Sequence, residues 1–358
     1  MKILVLDDGI AGNTTQSIGI VEALNWGYDL FPVKLKGPSY RLPDRKGSVK
    51  LISKIIGLLL ILKLYNLSYK IFCTFSIKRP PKQDFNAVIS TGSYLAPINL
   101  AISKKFGIKS ICIMTPENVP LKEFNLLIVP SHDMLRYKQL KKLKNVVVTT
   151  CAPNRITEEK LTQGKEKILR IINSPDTDLK IGLIIGGNDQ NYFIDKPWAE
   201  KLLKILHNMA IQKKISCFLT TSRRTPEDVV QFFLENTSDS LFVYREFVGI
   251  NKTSNYFGIL GICDILLVTE DSVTMISEAC STGKPVIILG SKRKKKKIVF
   301  DTTIKNLIKD NYCFYVSVEE FDKLPCVIVK SLKHNFSILK DTEKCALKIM
   351  EMLSTKKS

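Results

Sequence analysis

The sequence predicts an α/β protein built from two successive, doubly wound, Rossmann-like halves. Three observations carry this. Short apolar runs alternate with amphipathic helical stretches along nearly the whole chain. The alternation pauses once, in a charged segment between Cys151 and Asp178 that ends in Ser-Pro-Asp. The length, 358 residues of which 45% are hydrophobic, suffices for two ordinary domains with real cores and excludes a disordered chain.

The first half reads as strands at Ile3–Leu6, Leu30–Val33, Ala87–Ile89, Ser110–Ile113, Leu126–Val129 and Val146–Thr149. Each is a short, mainly apolar run without polar alternation, as expected of a parallel strand covered on both faces. The second half repeats the pattern at Ile181–Ile185, Cys217–Thr221, Leu241–Tyr244, Ile265–Thr269 and Val286–Leu289. The expected division is 1–155, a linker at 156–179, a second domain at 180–325, and a helical tail at 326–358 that packs back on the first domain. In such sheets ligands bind beyond the carboxyl ends of the strands, so the strand exits are the places to look for chemistry.

Charge and cysteines narrow the setting. Lys and Arg total 54 against 34 Asp and Glu, a net charge of +20, and six of the basic residues form the run Lys292–Lys297. The excess suits a phosphate-bearing ligand or an anionic membrane surface. Nucleic acid is not expected, because no aromatics interleave with the basic run and no binding motif accompanies it. The nine cysteines are scattered, with no metal-type cluster, and read as reduced thiols of a cytoplasmic protein. The start, "MKILVLDD", lacks the features of a signal peptide. The longest apolar stretch, Ile55–Leu62, falls well short of the roughly 20 residues that span a bilayer.

Six strand exits hold residues worth naming. After the first strand, "DDGIAGNTTQ" offers Asp8, Gly9, Gly12, Asn13 and Gln16, either an anion-accepting helix start or a plain glycine turn. Its spacing is not that of a dinucleotide fingerprint, and the next strand ends in Lys34 and Lys36 where a carboxylate would be needed. "STGSYLAP" puts Thr91, Gly92 and Ser93 after the third strand, to cradle a hydroxylated ligand or to cap a helix. "VPSHDM" sets His132 beside Asp133, a pair able to move protons near neutral pH or to rest as an ordinary loop pair.

In the second half, Gly186 and Gly187 can expose successive amides as an anion nest. Ser222, Arg223 and Arg224 leave the next strand, and an arginine fork matches phosphate oxygens. The segment "VTEDSVTMISEACSTGKPV" brings Glu270, Asp271, Ser272, Val273, Thr274 and Met275 to the start of a helix, with Glu278 further along. Free amides at that start would hold a phosphate. Glu278 lies six residues past Ser272, about 9 Å along a helix axis, within reach of the ribose attached to a diphosphate. Glu270 and Asp271 would then flank the transferred group, or Asp271 would cap the helix.

Together "DDGIAGNTTQSIGIVEAL", "TSRRTP" and "VTEDSVTMISEACSTGKPV" resemble the mitochondrial-fission ELM family, many of whose bacterial members are regarded as glycosyltransferases. The likeness runs from about Lys2 to Leu289. More distantly the chain resembles the lipid-linked peptidoglycan N-acetylglucosaminyltransferase, a two-domain GT-B enzyme. That resemblance implies two Rossmann-like domains facing a cleft, a nucleotide-sugar donor on the second half and an acceptor on the first. It implies that Glu278 holds ribose and that the helix start holds diphosphate. No cofactor or metal is expected, since arginines and helix amides can neutralise the leaving group; the one D-x-D motif, Asp176–Asp178, sits in the expected linker. Where the distant enzyme has a histidine in its first loop, this chain has Asn13 and Gln16, so Asp8, or His132 with Asp133, would have to act as base. Plant members of the ELM family act in membrane fission, so a non-catalytic membrane adaptor is one alternative and a nucleotide-sugar 2-epimerase another.

The segment "LISKIIGLLLILKLYNLSYKIF", Leu51–Phe72, reads either as an amphipathic helix lying on a membrane with Lys54, Lys63 and Lys70 snorkelling, or as a core helix. The expectation carried forward is a peripheral glycosyltransferase at the inner face of the membrane, acting on a glycolipid or polysaccharide acceptor.

Overall fold

In the computed structural model the described residues are 1–36, 45–81, 84–172, 178–238, 240–251 and 254–354. They form two compact units, Met1–Arg155 with Lys340 onward, and Ile156–Leu339.

The first unit runs β1 (Lys2–Asp7), α1 (Ala11–Ala23), β2 (Gly27–Pro32), α2 (Arg45–Ile61), α3 (Tyr65–Phe75), β3 (Ala87–Thr91), α4 (Ala96–Phe106), β4 (Lys109–Ile113), β5 (Leu126–Pro130), α5 (Ser131–Arg136) and β6 (Val146–Thr149). Its sheet is parallel, in the order β2-β1-β3-β4-β5-β6. Alternate residues of each strand feed two cores. Leu4, Leu6, Val88, Cys112 and Leu127 face α2, α3 and α4, while Ile3, Val5, Ile89, Ile111 and Ile128 face α1.

The second unit runs α6 (Glu158–Leu169), β7 (Leu179–Ile185), β8 (Tyr192–Phe193), α7 (Lys196–Gln212), β9 (Ile215–Thr221), α8 (Glu227–Asn236), β10 (Phe242–Glu246), α9 (Tyr256–Ile262), β11 (Ile265–Thr269), α10 (Val273–Cys280), β12 (Val286–Leu289), β13 (Lys292–Arg293), α11 (Asp301–Lys309), β14 (Phe314–Val316) and α12 (Leu324–Leu332). Its main sheet is also parallel, ordered β10-β9-β7-β11-β12-β14, and β8 pairs antiparallel with β13. The chain then returns to the first unit as α13 (Asp341–Ser354).

Each sheet reverses its winding once, between β1 and β3 in the first unit and between β7 and β11 in the second. At such a point neighbouring helices lie on opposite faces of the sheet, which opens a crevice at the strand ends. The exits flanking these two positions are the Asp8, Thr91, Gly186 and Glu270 loops.

Several expectations are corrected. Residues 156–179 are not a simple linker: α6 belongs to the second unit and packs on α9, where Gly164 and Gly258 let the backbones meet. A Cβ on Gly164 would stand 2.5 Å from Gly258 N. Only the chain beyond Leu339, not the whole of 326–358, joins the first unit, since α12 packs in the second unit's core through Leu324 and Ile328. The return is pinned by Asp341, whose carboxylate accepts from Thr150 N (3.1 Å) and Cys151 N (2.7 Å). The Leu51–Phe72 segment is two helices rather than one, broken at Lys63, whose φ is +59°. Asp176 and Thr177 of the D-x-D motif lie outside the described residues.

Candidate functional site

In the second unit, the exits of β7, β9 and β11 converge around one buried carboxylate. Asp271 Oδ2 accepts from Gly187 N (2.9 Å) and from Arg224 Nη2 (2.7 Å), and Asp271 Oδ1 accepts from Thr269 Oγ1 (2.7 Å). Gly186 N donates to Thr269 Oγ1 at 2.7 Å. The two glycines are required by this crowding. A Cβ on Gly186 would stand 2.1 Å from Asp271 Oδ1, and one on Gly187 would stand 2.0 Å from the Arg224 carbonyl.

The expected open nest at Gly186 and Gly187 is therefore already satisfied internally, by Thr269 and by the protein's own anion, Asp271. Asp271 does not cap α10. Ser272 does, its Oγ accepting from Met275 N at 3.5 Å. The reason is geometric: the Asp271 side chain turns towards Thr269, Gly187 and Arg224, and the next residue takes the capping position. Burial raises the Asp271 pKa, and the Thr269 hydroxyl and Arg224 charge pull it back.

Arg224 keeps an exposed guanidinium edge, and its Nη1 lies 4.0 Å from Asp189 Oδ2. Ser222 shapes this turn, its Oγ accepting from Arg224 N (3.2 Å) while its own N–H donates to Thr225 Oγ1 (2.9 Å). Arg223 is exposed and has no partner among the described residues. The first turn of α10, Val273 to Met275, is half-buried, and Glu278 behind it is buried. The buried Tyr256 hydroxyl faces Glu278; burial first, then that carboxylate, push the phenol well above its ordinary pKa.

Glu270 belongs to a second cluster that sequence reasoning did not find. Its Oε1 accepts from Ser291 N (2.8 Å) and its Oε2 lies 3.4 Å from Tyr315 Oη. Only 1% of Glu270 is exposed, and burial pushes its pKa up to about 7. The available signal was positional, since Ser291 leaves β12 just as the other site residues leave their strands. Tyr315, on the short β14, carried no such mark.

In the first unit the β1 and β3 exits meet. Asp8 accepts from Ile10 N (2.9 Å) through Oδ1 and from Asn13 Nδ2 (2.8 Å) through Oδ2. Gly9 adopts φ +78°, and Gly92, at φ +92°, passes Asn13 so closely that a Cβ there would lie 3.2 Å from Nδ2. Thr91 pairs with Ser17 at 2.8 Å, Ser93 Oγ donates to Thr115 O at 3.4 Å, and Gln16 is buried, bonding Gly12 O at 3.3 Å. A cavity of about 460 Å³ opens here, lined by Asn13, Lys50, Lys54, Gly92, Ser93 and Glu117 among others. His132 and Asp133 sit on α5 with Nε2 3.7 Å from Oδ1. Burial holds the His132 pKa below its ordinary value despite the Asp133 charge.

Residues 11–353 match the model of a family described as mitochondrial fission ELM1. The chain belongs to that family. Among curated proteins, this ELM1-family chain is 24% identical over 315 residues to an uncharacterized protein, RP120, of Rickettsia prowazekii, covering 80% of this chain and 83% of that one. A shorter match, 40% identical over 80 residues, is to the mitochondrial fission protein ELM1 of Arabidopsis thaliana, covering 22% of this chain and 18% of that protein. Solved structures share its fold over nearly the full length. The UDP-GlcNAc 2-epimerase of Methanocaldococcus jannaschii superposes with a TM-score of 0.59 at 16% identity, covering 99% of this chain and 100% of that one. Anabaena Alr3699/HepE, solved in complex with UDP and glucose, superposes with a TM-score of 0.52 at 12% identity and the same coverage. The fold of this ELM1-family member is thus the GT-B-like one of glycosyltransferases and UDP-sugar epimerases. Among the described residues no helix is long and apolar enough to cross a membrane.

Proposed function

We propose that this ELM1-family protein is a metal-independent glycosyltransferase that moves a sugar from a nucleoside diphosphate to a hydroxyl of a glycolipid or cell-envelope polysaccharide precursor, at the inner face of a membrane. The observation that carries the reading is the set of groups converging where the second sheet reverses its winding. Arg223 and Arg224 leave β9, the half-exposed first turn of α10 follows β11, and the buried carboxylate Glu278 lies further along α10. Guanidinium and helix amides suit a diphosphate, and a carboxylate at that depth suits the paired hydroxyls of a ribose.

In the proposed reaction the acceptor oxygen attacks the anomeric carbon as the bond from that carbon to the diphosphate oxygen breaks. The negative charge that develops on the diphosphate is stabilised by Arg224, Arg223 and the α10 amides. The acceptor's proton passes to a general base. Asp8 is one candidate, already accepting two hydrogen bonds. His132 is the other, and burial lowers its pKa, which favours the neutral imidazole.

Thermal shift against nucleoside diphosphates and their sugars tests the donor site. Stabilisation by at least one diphosphate nucleotide is expected, and no response to any of them would favour a catalytically silent adaptor. Product analysis with donor alone separates the two enzymatic readings, since a 2-epimerase would convert the sugar without any acceptor.

A further inference from the structure

Helix α2 is apolar on two opposite sides, and the protein core accounts for only one of them. Ile52, Ile56 and Leu60 are buried in the core that α2 shares with α3 and α4. Leu51, Ile55, Leu58 and Leu62 follow one another at steps of four, three and four residues, which places them on a single stripe. Those four are between 40 and 59% exposed. The helical bond from Leu62 N to Leu58 O (3.0 Å) carries the stripe past the end of α2, and exposed Leu64 and Leu67 extend it onto α3. A contiguous exposed apolar stripe of this length marks an interaction surface, so it calls for an apolar partner.

Charge decides which partner. Between residues 45 and 75 the sequence has six basic residues, Arg45, Lys46, Lys50, Lys54, Lys63 and Lys70, and no aspartate or glutamate. Lys50, Lys54, Lys63 and Lys70 are exposed. A second copy of this chain would bring the same positive charge to the contact and be repelled. A bilayer with anionic headgroups offers both things required, hydrocarbon for the leucines and phosphates for lysines on long flexible stems.

We infer that the outer face of α2 and the start of α3 dock the protein on an anionic lipid bilayer, the stripe Leu51–Ile55–Leu58–Leu62 entering the interface and the surrounding lysines contacting lipid phosphate. The basic run Lys292–Lys297 is the weaker anchor. Lys292 pairs with Asp195 at 2.5 Å, Arg293 pairs with Asp301, and Lys294 Nζ donates to Asp189 O at 2.7 Å. Lys50 and Lys54 also line the first unit's cavity, so docking sets that cavity against the headgroup layer. This last point deepens the acceptor half of the proposed function and rests on it; the docking itself does not.

The test is co-sedimentation of the full chain with vesicles of phosphatidylcholine, alone or mixed with phosphatidylglycerol. Binding is expected to the mixed vesicles and to weaken with added salt. The variant Leu51→Ser, Leu58→Ser, Leu62→Ser should partition about tenfold less well or worse, with Tm unchanged because these side chains are exposed. A second variant, Lys54→Gln with Lys63→Gln and Lys70→Gln, should lose the preference for phosphatidylglycerol, while neutralising Lys294–Lys297 should have the smaller effect. Wild-type protein that ignores the mixed vesicles would overturn the inference, as would a serine variant that binds like wild type, or a wild-type dimer that the serine variant dissolves. Vesicle binding without any nucleotide response would sink the enzymatic reading and leave this one standing.

Discussion

Arg224 Nη2 lies 2.7 Å from Asp271 Oδ2, so the guanidinium proposed to meet a diphosphate is held by a buried carboxylate. A carboxylate with almost no solvent depends on its partners, and the arginine in turn is oriented by the pair. Any diphosphate that binds must share or exchange this contact.

Arg224→Ala is expected to lose two things at once. It leaves Asp271 buried without its cation, at a cost of about 3 kcal/mol, and it weakens binding of the proposed nucleoside diphosphate by about 1.5–3 kcal/mol. Adding Asp271→Asn should recover the stability, read by urea unfolding, without recovering nucleotide affinity, read by calorimetry. Recovery of both would make the arginine structural only.

Glu278→Gln is expected to weaken binding of the proposed nucleoside diphosphate by about 1–3 kcal/mol while leaving inorganic diphosphate binding unchanged, because only the nucleotide carries ribose. An early-melting variant with normal nucleotide affinity would assign Glu278 to the support of Tyr256 instead.

Glu270 should make stability depend on pH. Its pKa rises from an ordinary 4.5 to about 7 in the folded protein, so the folded state favours the protonated form. The stabilisation is fully present below about pH 4.5 and is lost as pH rises through about 7, about 3 kcal/mol in all. Glu270→Gln cannot ionise, so its Tm should fall less than that of wild type between these limits. Parallel Tm curves for the two proteins would contradict the assignment.

Asp341→Ala removes the acceptor for two backbone amides and is expected to destabilise the first unit by about 1–3 kcal/mol. Limited proteolysis should then cut α13 sooner than in wild type. Unchanged cleavage would mean that burial of Cys345, Ala346 and Ile349 holds the helix without the carboxylate.

Much of the site was legible because strand exits are marked by composition. Gly9, Gly92, Gly186, Arg224 and Asp271 each follow a largely apolar run, and the structure brings them to the ends of β1 and β3 in the first unit and of β7, β9 and β11 in the second. The pairings among them were not legible. Asp271 reads as a helix cap by its place before Ser272, and only the approach of Gly187 and Arg224 from two other strands turns it into the centre of the site. Glu270 looked like its neighbour's twin, yet alternating direction along the chain sends it towards Ser291 and Tyr315 instead.

By itself the sequence determined the number of halves, the parallel strands and the loops that could bear chemistry, because apolar runs and glycine positions are local properties with a fixed period. The tertiary structure alone decided which of those loops share a switch point, which carboxylate is satisfied from within, and that α2 keeps a row of leucines in solvent. Those outcomes depend on distances between residues far apart in the chain, and no local pattern encodes them.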